Sequence, residues 1–133
     1  MRAIRYIVVH ATGGREHQTI ADLNVVFKQK GWKHPGYHYV IKRDGGIVQL
    51  LSMDKVSNGV KGYNQVSVHV AYIGGIDKFL NTIDNRTEEQ KTALRVLLKK
   101  LKKEFPSAKV CGHRDLEKGK DCPCFNVSKE YFI

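Results

Sequence analysis

The run Val66-Ser67-Val68-His69-Val70-Ala71-Tyr72-Ile73 narrows what this chain can fold into more than any other stretch. A strand with one face in water alternates apolar and polar residues, whereas this one is apolar on both faces. Such a strand sits in the interior of a sheet, and Gly74-Gly75 ends it.

Elements on either side fit around that strand. Residues 3–9 read as a first strand, rich in β-branched and aromatic residues, with His10 at its end and Ala11-Thr12-Gly13-Gly14 as the following loop. Thr19 reads as an N-cap with Asp22 three residues on, and Ile20, Leu23, Val26 and Phe27 form a helical stripe that Gly31 closes. Residues 37–42 and 47–51 make a hairpin across Asp44-Gly45-Gly46, and residues 52–65 read as a loop. The longest helix is expected over 87–105, with Thr87 and Gln90 as a capping box and Pro106 as the stop. Glu88 and Glu89 suit its positive end, Lys99 to Lys103 suit its negative end, and Leu94, Leu97, Leu98, Leu101 and Phe105 form its apolar face. A short strand over 108–111 then delivers His113. Strands and helices in this order imply an α/β fold, with a central mixed β-sheet flanked by helices.

The 133 residues suit one domain, 1–133, large enough for a hydrophobic core. No apolar run approaches the roughly 20 residues that span a bilayer, so membrane insertion is not expected. The start Met1-Arg2-Ala3-Ile4-Arg5-Tyr6 is basic but lacks the apolar segment and cleavage site of a signal peptide, which predicts synthesis in a cytoplasm. Lys and Arg outnumber Asp and Glu by 23 to 13, a net charge of +10 that favours an anionic partner without choosing among them. The lysines cluster on the polar side of the second helix and no nucleic-acid motif is present, so a specific nucleic-acid partner is not expected. Three cysteines without an export signal argue against a disulfide framework and for thiol or metal chemistry.

Two stretches near the C-terminus carry that chemistry: Gly112-His113-Arg114-Asp115 and Lys120-Asp121-Cys122-Pro123-Cys124-Phe125. His10 and His113 both follow predicted strands. If those strands are parallel neighbours, both imidazoles emerge at one sheet edge, where sites in open α/β sheets gather. Two imidazoles and a thiolate from the following loop suit one zinc ion with a fourth position left open. A lone histidine at a strand end is ordinarily just hydrogen-bonded or exposed, and Cys124 competes with Cys122 for the thiolate role. The string His113-Arg114-Asp115-Leu116 is also found in kinase catalytic loops, but lysine stands at 120 and no glycine-rich loop is present.

An ordered set of motifs spans nearly the whole chain. These are Val8-Val9-His10-Ala11-Thr12, the stretch from Gly36-Tyr37-His38 to Arg43-Asp44-Gly45, Gly62-Tyr63-Asn64, Tyr72-Ile73-Gly74-Gly75, Gly112-His113-Arg114-Asp115 and Lys120-Asp121-Cys122-Pro123. As a set it closely resembles the zinc-dependent N-acetylmuramoyl-L-alanine amidases, the family of the amidase-type phage lysozymes and the peptidoglycan recognition proteins. The resemblance implies that fold, a Zn2+ cofactor held by His10, His113 and Cys122, and catalytic roles for Tyr37 and Lys120. Zinc would acidify a water and polarise the scissile amide carbonyl, Lys120 would stabilise the oxyanion, and Tyr37 would orient the water or pass a proton to the departing amine. It further implies a monomeric phage or prophage endolysin that cuts peptidoglycan between N-acetylmuramic acid and L-alanine, acting on the wall after release. A non-catalytic peptidoglycan-binding module is the alternative, disfavoured by the thiolate that recognition-only relatives typically lack.

Other residues carry plainer expectations. Cys111 reads as a buried free thiol, and Asp115 as a loop cap or a ligand-orienting carboxylate. By alternation His38 should face away from Tyr37, while His17 and His34 should be solvated. His69 either lines the groove or is a satisfied core histidine. Many relatives carry a substrate-contacting histidine before Gly-Tyr-Asn; here Ser57-Asn58-Gly59-Val60 has none, and Asn58 or Asn64 could replace it.

Overall fold

The computed structural model describes residues 2–133; Met1, the first residue of the basic N-terminal stretch, lies outside them. The strands are β1 (Tyr6–Ala11), β2 (Tyr39–Ile41), β3 (Ile47–Gln49), β4 (Ser67–Tyr72) and β5 (Lys109–Gly112), and the helices are α1 (Ile20–Gln29), α2 (Glu88–Glu104), α3 (His113–Leu116) and α4 (Val127–Glu130). They form one sheet in the order β3-β2-β4-β1-β5. Only the β2–β3 hairpin is antiparallel. The strand that is apolar on both faces, β4, is the middle one, as its pattern requires.

Period-two alternation sorts each strand's side chains onto two faces. Ile7, Val9, Ala11, Tyr39, Ile41, Val68, Val70 and Tyr72 meet Leu94, Leu97, Leu98 and Leu101 of α2. The opposite face carries Val8 and Cys111 against Val60, and Val40 with Ile73 against Leu23 and Phe27 of α1. Cys111 is buried and unbridged, and burial pushes its thiol up to about 12. The capping box of α2 also anchors that helix to the sheet. Gln90 accepts from Thr87 N–H through Oε1 (3.0 Å), while its Nε2 donates to the carbonyls of Ile41 (3.2 Å) and Ile73 (3.0 Å).

Element edges differ from the sequence reading where neighbouring strands decide them. β1 begins later than residue 3 and runs through His10, because β4 continues the parallel ladder as His10↔Ala71 and Ala11↔Tyr72. β2 starts only at Tyr39, so Tyr37 precedes the strand and alternation does not govern it. Tyr37 packs with Phe27 and Val40, and His38 stacks on His69, so the two share a face instead of opposing one another.

Candidate metal centre and catalytic cleft

β1 and β5 are parallel neighbours in register Val9↔Gly112, so His10 and His113 leave the sheet at the same edge. His10 lies on the face away from α2, and His113 opens α3 directly after β5. Their rings are 4.9 Å apart between centroids. Where β5 ends, the Cys122 sulfur takes the next backbone donor of β1: Ala11 N–H donates to Sγ at 3.2 Å. The segment is held there by Arg114 N–H donating to Cys122 O (2.8 Å) and the Tyr72 hydroxyl donating to Pro123 O (2.7 Å).

Donor atoms of His10, His113 and Cys122 all lie within 4.8 Å of one another, and they are the one such group of three among the described residues. His10 Nδ1 is 3.8 Å from Cys122 Sγ. Bonds of about 2.0 Å to nitrogen and 2.3 Å to sulfur put donors roughly 3.5 Å apart around a tetrahedral ion, so the three residues fit a zinc-sized cation. Burial, reinforced by His69 and His113, holds the His10 imidazole well below its ordinary value and therefore neutral, the form that ligates. Burial pushes the Cys122 thiol up to about 12, and a divalent cation reverses that preference.

These three side chains line a cleft of about 450 Å³ together with Tyr37 and Lys120. The Tyr37 ring centroid lies 5.1 Å from that of His10, and Phe27 meets Tyr37 edge-on at 5.7 Å. Burial, then the neighbouring Cys122, raises the Tyr37 phenol above its ordinary value, so it is protonated and can donate. Lys120 is exposed on the rim. Cys124 points elsewhere, with Sγ 3.6 Å from Gly75 O.

Sequence reasoning missed Glu117, whose Oε1 accepts from His113 Nε2 at 2.7 Å and so leaves Nδ1 for the cleft. The signal was available in the i,i+4 spacing of His113 and Glu117. Asp115 acts as the cap: its Oδ2 accepts from Gly112 N–H at 2.7 Å at the start of α3. His17 is exposed, but His34 is half-buried against the 52–63 loop, with Nδ1 donating to Val56 O at 3.1 Å. Asn58 lines the cleft, whereas Asn64 bonds to His69, and His69 is a fully buried, hydrogen-bonded histidine.

The family model of N-acetylmuramoyl-L-alanine amidase matches residues 1–125. The endolysin of Klebsiella phage KP32 is 38% identical over 125 residues, covering 92% of this chain and 82% of its own length. The endolysin of Enterobacteria phage K11 is 34% identical over 124 residues, covering 93% and 82%. Among solved structures, the endolysin of Thermus scotoductus bacteriophage Ph2119 superposes with a TM-score of 0.81 at 28% identity, covering 98% of this chain and 86% of that one. Fold, site and relatives agree: the chain belongs to the N-acetylmuramoyl-L-alanine amidase family and is a peptidoglycan amidase of the endolysin kind.

Proposed function

We propose that the amidase is zinc-dependent, with His10, His113 and Cys122 as ligands and Tyr37 and Lys120 as catalytic residues. The observation that carries this reading is the convergence of the three donors, within 4.8 Å, on a cleft that Tyr37 and Lys120 also line. Zinc, when bound there, supplies Lewis acidity toward the scissile carbonyl and the attacking water. The Lys120 ammonium sits on the rim, where its three N–H donors meet the carbonyl oxygen as negative charge develops on it. The Tyr37 hydroxyl, kept protonated, orients the water or hands its proton to the departing L-alanine nitrogen. Phe27 and Trp32, stacked with centroids 5.8 Å apart, form an apolar wall on this side of the cleft.

The substrate is peptidoglycan, met by a monomer carrying a net charge of +10 that favours adhesion to an anionic wall. Among the described residues no helix is long and apolar enough to cross a membrane. The enzyme acts on the wall once a separate membrane lesion releases it from the cytoplasm. Zinc-loaded protein on purified peptidoglycan is expected to release new L-alanine amino termini and no new reducing sugar ends, and chelated protein neither. Wall binding with full zinc occupancy but no amide cleavage would instead identify a recognition module.

Two substitutions separate the proposed roles. Lys120→Met, which keeps the aliphatic stem and removes the charge, is expected to lower kcat about 100-fold with little change in zinc content. Tyr37→Phe is expected to lower kcat about 100-fold or more with KM nearly unchanged. Steady-state kinetics on a soluble muropeptide reads both, and wild-type kcat in either variant removes that residue from the mechanism.

A further inference from the structure

His69 is wholly buried beside the cleft and has no part in the reaction as described. It projects from β4 onto the same face as His10, and the direction of every hydrogen bond across its ring can be assigned. Val60 N–H donates to Asn64 Oδ1 at 2.8 Å, and since a backbone N–H can only donate, that atom is the amide oxygen. His69 Nε2 lies 3.0 Å from the same oxygen and must carry a proton to meet it. No carboxylate bonds to this buried ring, so it is neutral and its Nδ1 presents a lone pair. That Nδ1 lies 2.8 Å from His10 Nε2, which must therefore donate. His10 is left with its own lone pair on Nδ1, the atom that faces Cys122 Sγ at 3.8 Å.

We propose that Asn64 and His69 are positioning residues of the metal centre: a two-member relay that locks His10 in the tautomer that ligates through Nδ1. The inference rests on the zinc reading above. It also accounts for three neighbouring features. Gly59 has no side chain because a Cβ there would stand 2.3 Å from His69 Nδ1, on the hydrogen bond itself. His38 stacks almost parallel on His69 (9°, centroids 6.2 Å apart) and its Nδ1 accepts the His69 backbone N–H at 3.1 Å, which fixes the ring plane. His113 is held in the same way by Glu117, so both imidazoles present Nδ1.

The experiment combines imidazole nitrogen NMR of metal-free protein with zinc titration against a competing chelator. Metal-free wild type is expected to show both His10 and His69 as Nε2–H tautomers. His69→Phe and Asn64→Leu are expected to weaken zinc binding about 10- to 100-fold, with His10 no longer held in one tautomer. His69→Gln, whose amide can donate to Asn64 and accept from His10, is expected to restore most of the affinity. A Gly59→Ala/His69→Gly double variant refills the space without an acceptor, and is expected to stay weak. A proton on His10 Nδ1 in metal-free wild type overturns the proposal, as does wild-type zinc affinity in both His69→Phe and Asn64→Leu. If wild type itself takes up no zinc, the zinc reading fails, and the tautomers seen without metal still judge the relay.

Discussion

Cys122→Ser is expected to strip the enzyme of zinc and take its activity to background, while Cys124→Ser retains both. A serine hydroxyl does not ionise to replace a soft thiolate. Apparent zinc-site free energies of roughly 10–16 kcal/mol for four ligands imply about 3 kcal/mol for each, a hundredfold or more in affinity. Cys124 differs because its sulfur faces the Gly75 carbonyl at 3.6 Å and lies outside the cluster of donors. Metal analysis after dialysis, read beside amide hydrolysis, decides the matter. Zinc that survives in Cys122→Ser and disappears in Cys124→Ser would transfer the ligand role to Cys124.

The second large effect lies away from the cleft, at Arg86. Its guanidinium is buried, stacks 3.4 Å over the Phe125 ring centroid, and forks to Asp84 (2.9 Å) and Glu130 (2.7 Å) while donating to the Tyr131 hydroxyl (2.7 Å). Removing one member of such a set strands the others, and with both carboxylates partly solvated Arg86→Met is expected to cost about 3 kcal/mol, near the low end for a buried pair. For a chain of this length that is roughly a 10 °C drop in Tm. Burial would raise the Asp84 carboxyl, but hydrogen bonds and charge from Arg86 outweigh it and hold it below the ordinary value. Glu130 is held low chiefly by its hydrogen bond to Arg86. A depressed carboxylate contributes stability above its unfolded pKa of about 4 and loses it as the pH falls through the folded value. The gap in Tm between wild type and Arg86→Met is therefore widest at neutral pH and narrows below about pH 4. A gap that does not change with pH would show that Arg86 acts through packing alone.

How far the sequence is legible follows from the range of each signal. β4 announces its central place because burial on both faces is written in eight consecutive residues. The capping boxes at Thr19 and Thr87 are equally local, and both stand where the spacing puts them. Strand ends are legible only through the partner strand, which is why β1 overruns His10 and β2 leaves Tyr37 outside. The donors at 10, 113 and 122 can be suspected from their chemistry, but their meeting depends on β1 and β5 being parallel neighbours. Arg86, one arginine among many basic residues, becomes distinctive only once Phe125 and Glu130 close around it. His69 looks like an interruption in an apolar strand until Asn64 and His10 are placed on either side.

The centre draws His10 from the first strand and Cys122 from a segment 112 positions later. Loops that long are costly to close, so little of the centre exists in a partly folded or partly synthesised chain. If the centre holds zinc as proposed above, metal uptake is a late event, and by linkage it acts as a clasp on the finished fold. At a hundredfold excess over its dissociation constant, such an ion would add about 2.7 kcal/mol to the free energy of unfolding. On that reading the peptidoglycan amidase would stay inert as a nascent chain, and would become hardest to unravel at the moment it becomes competent.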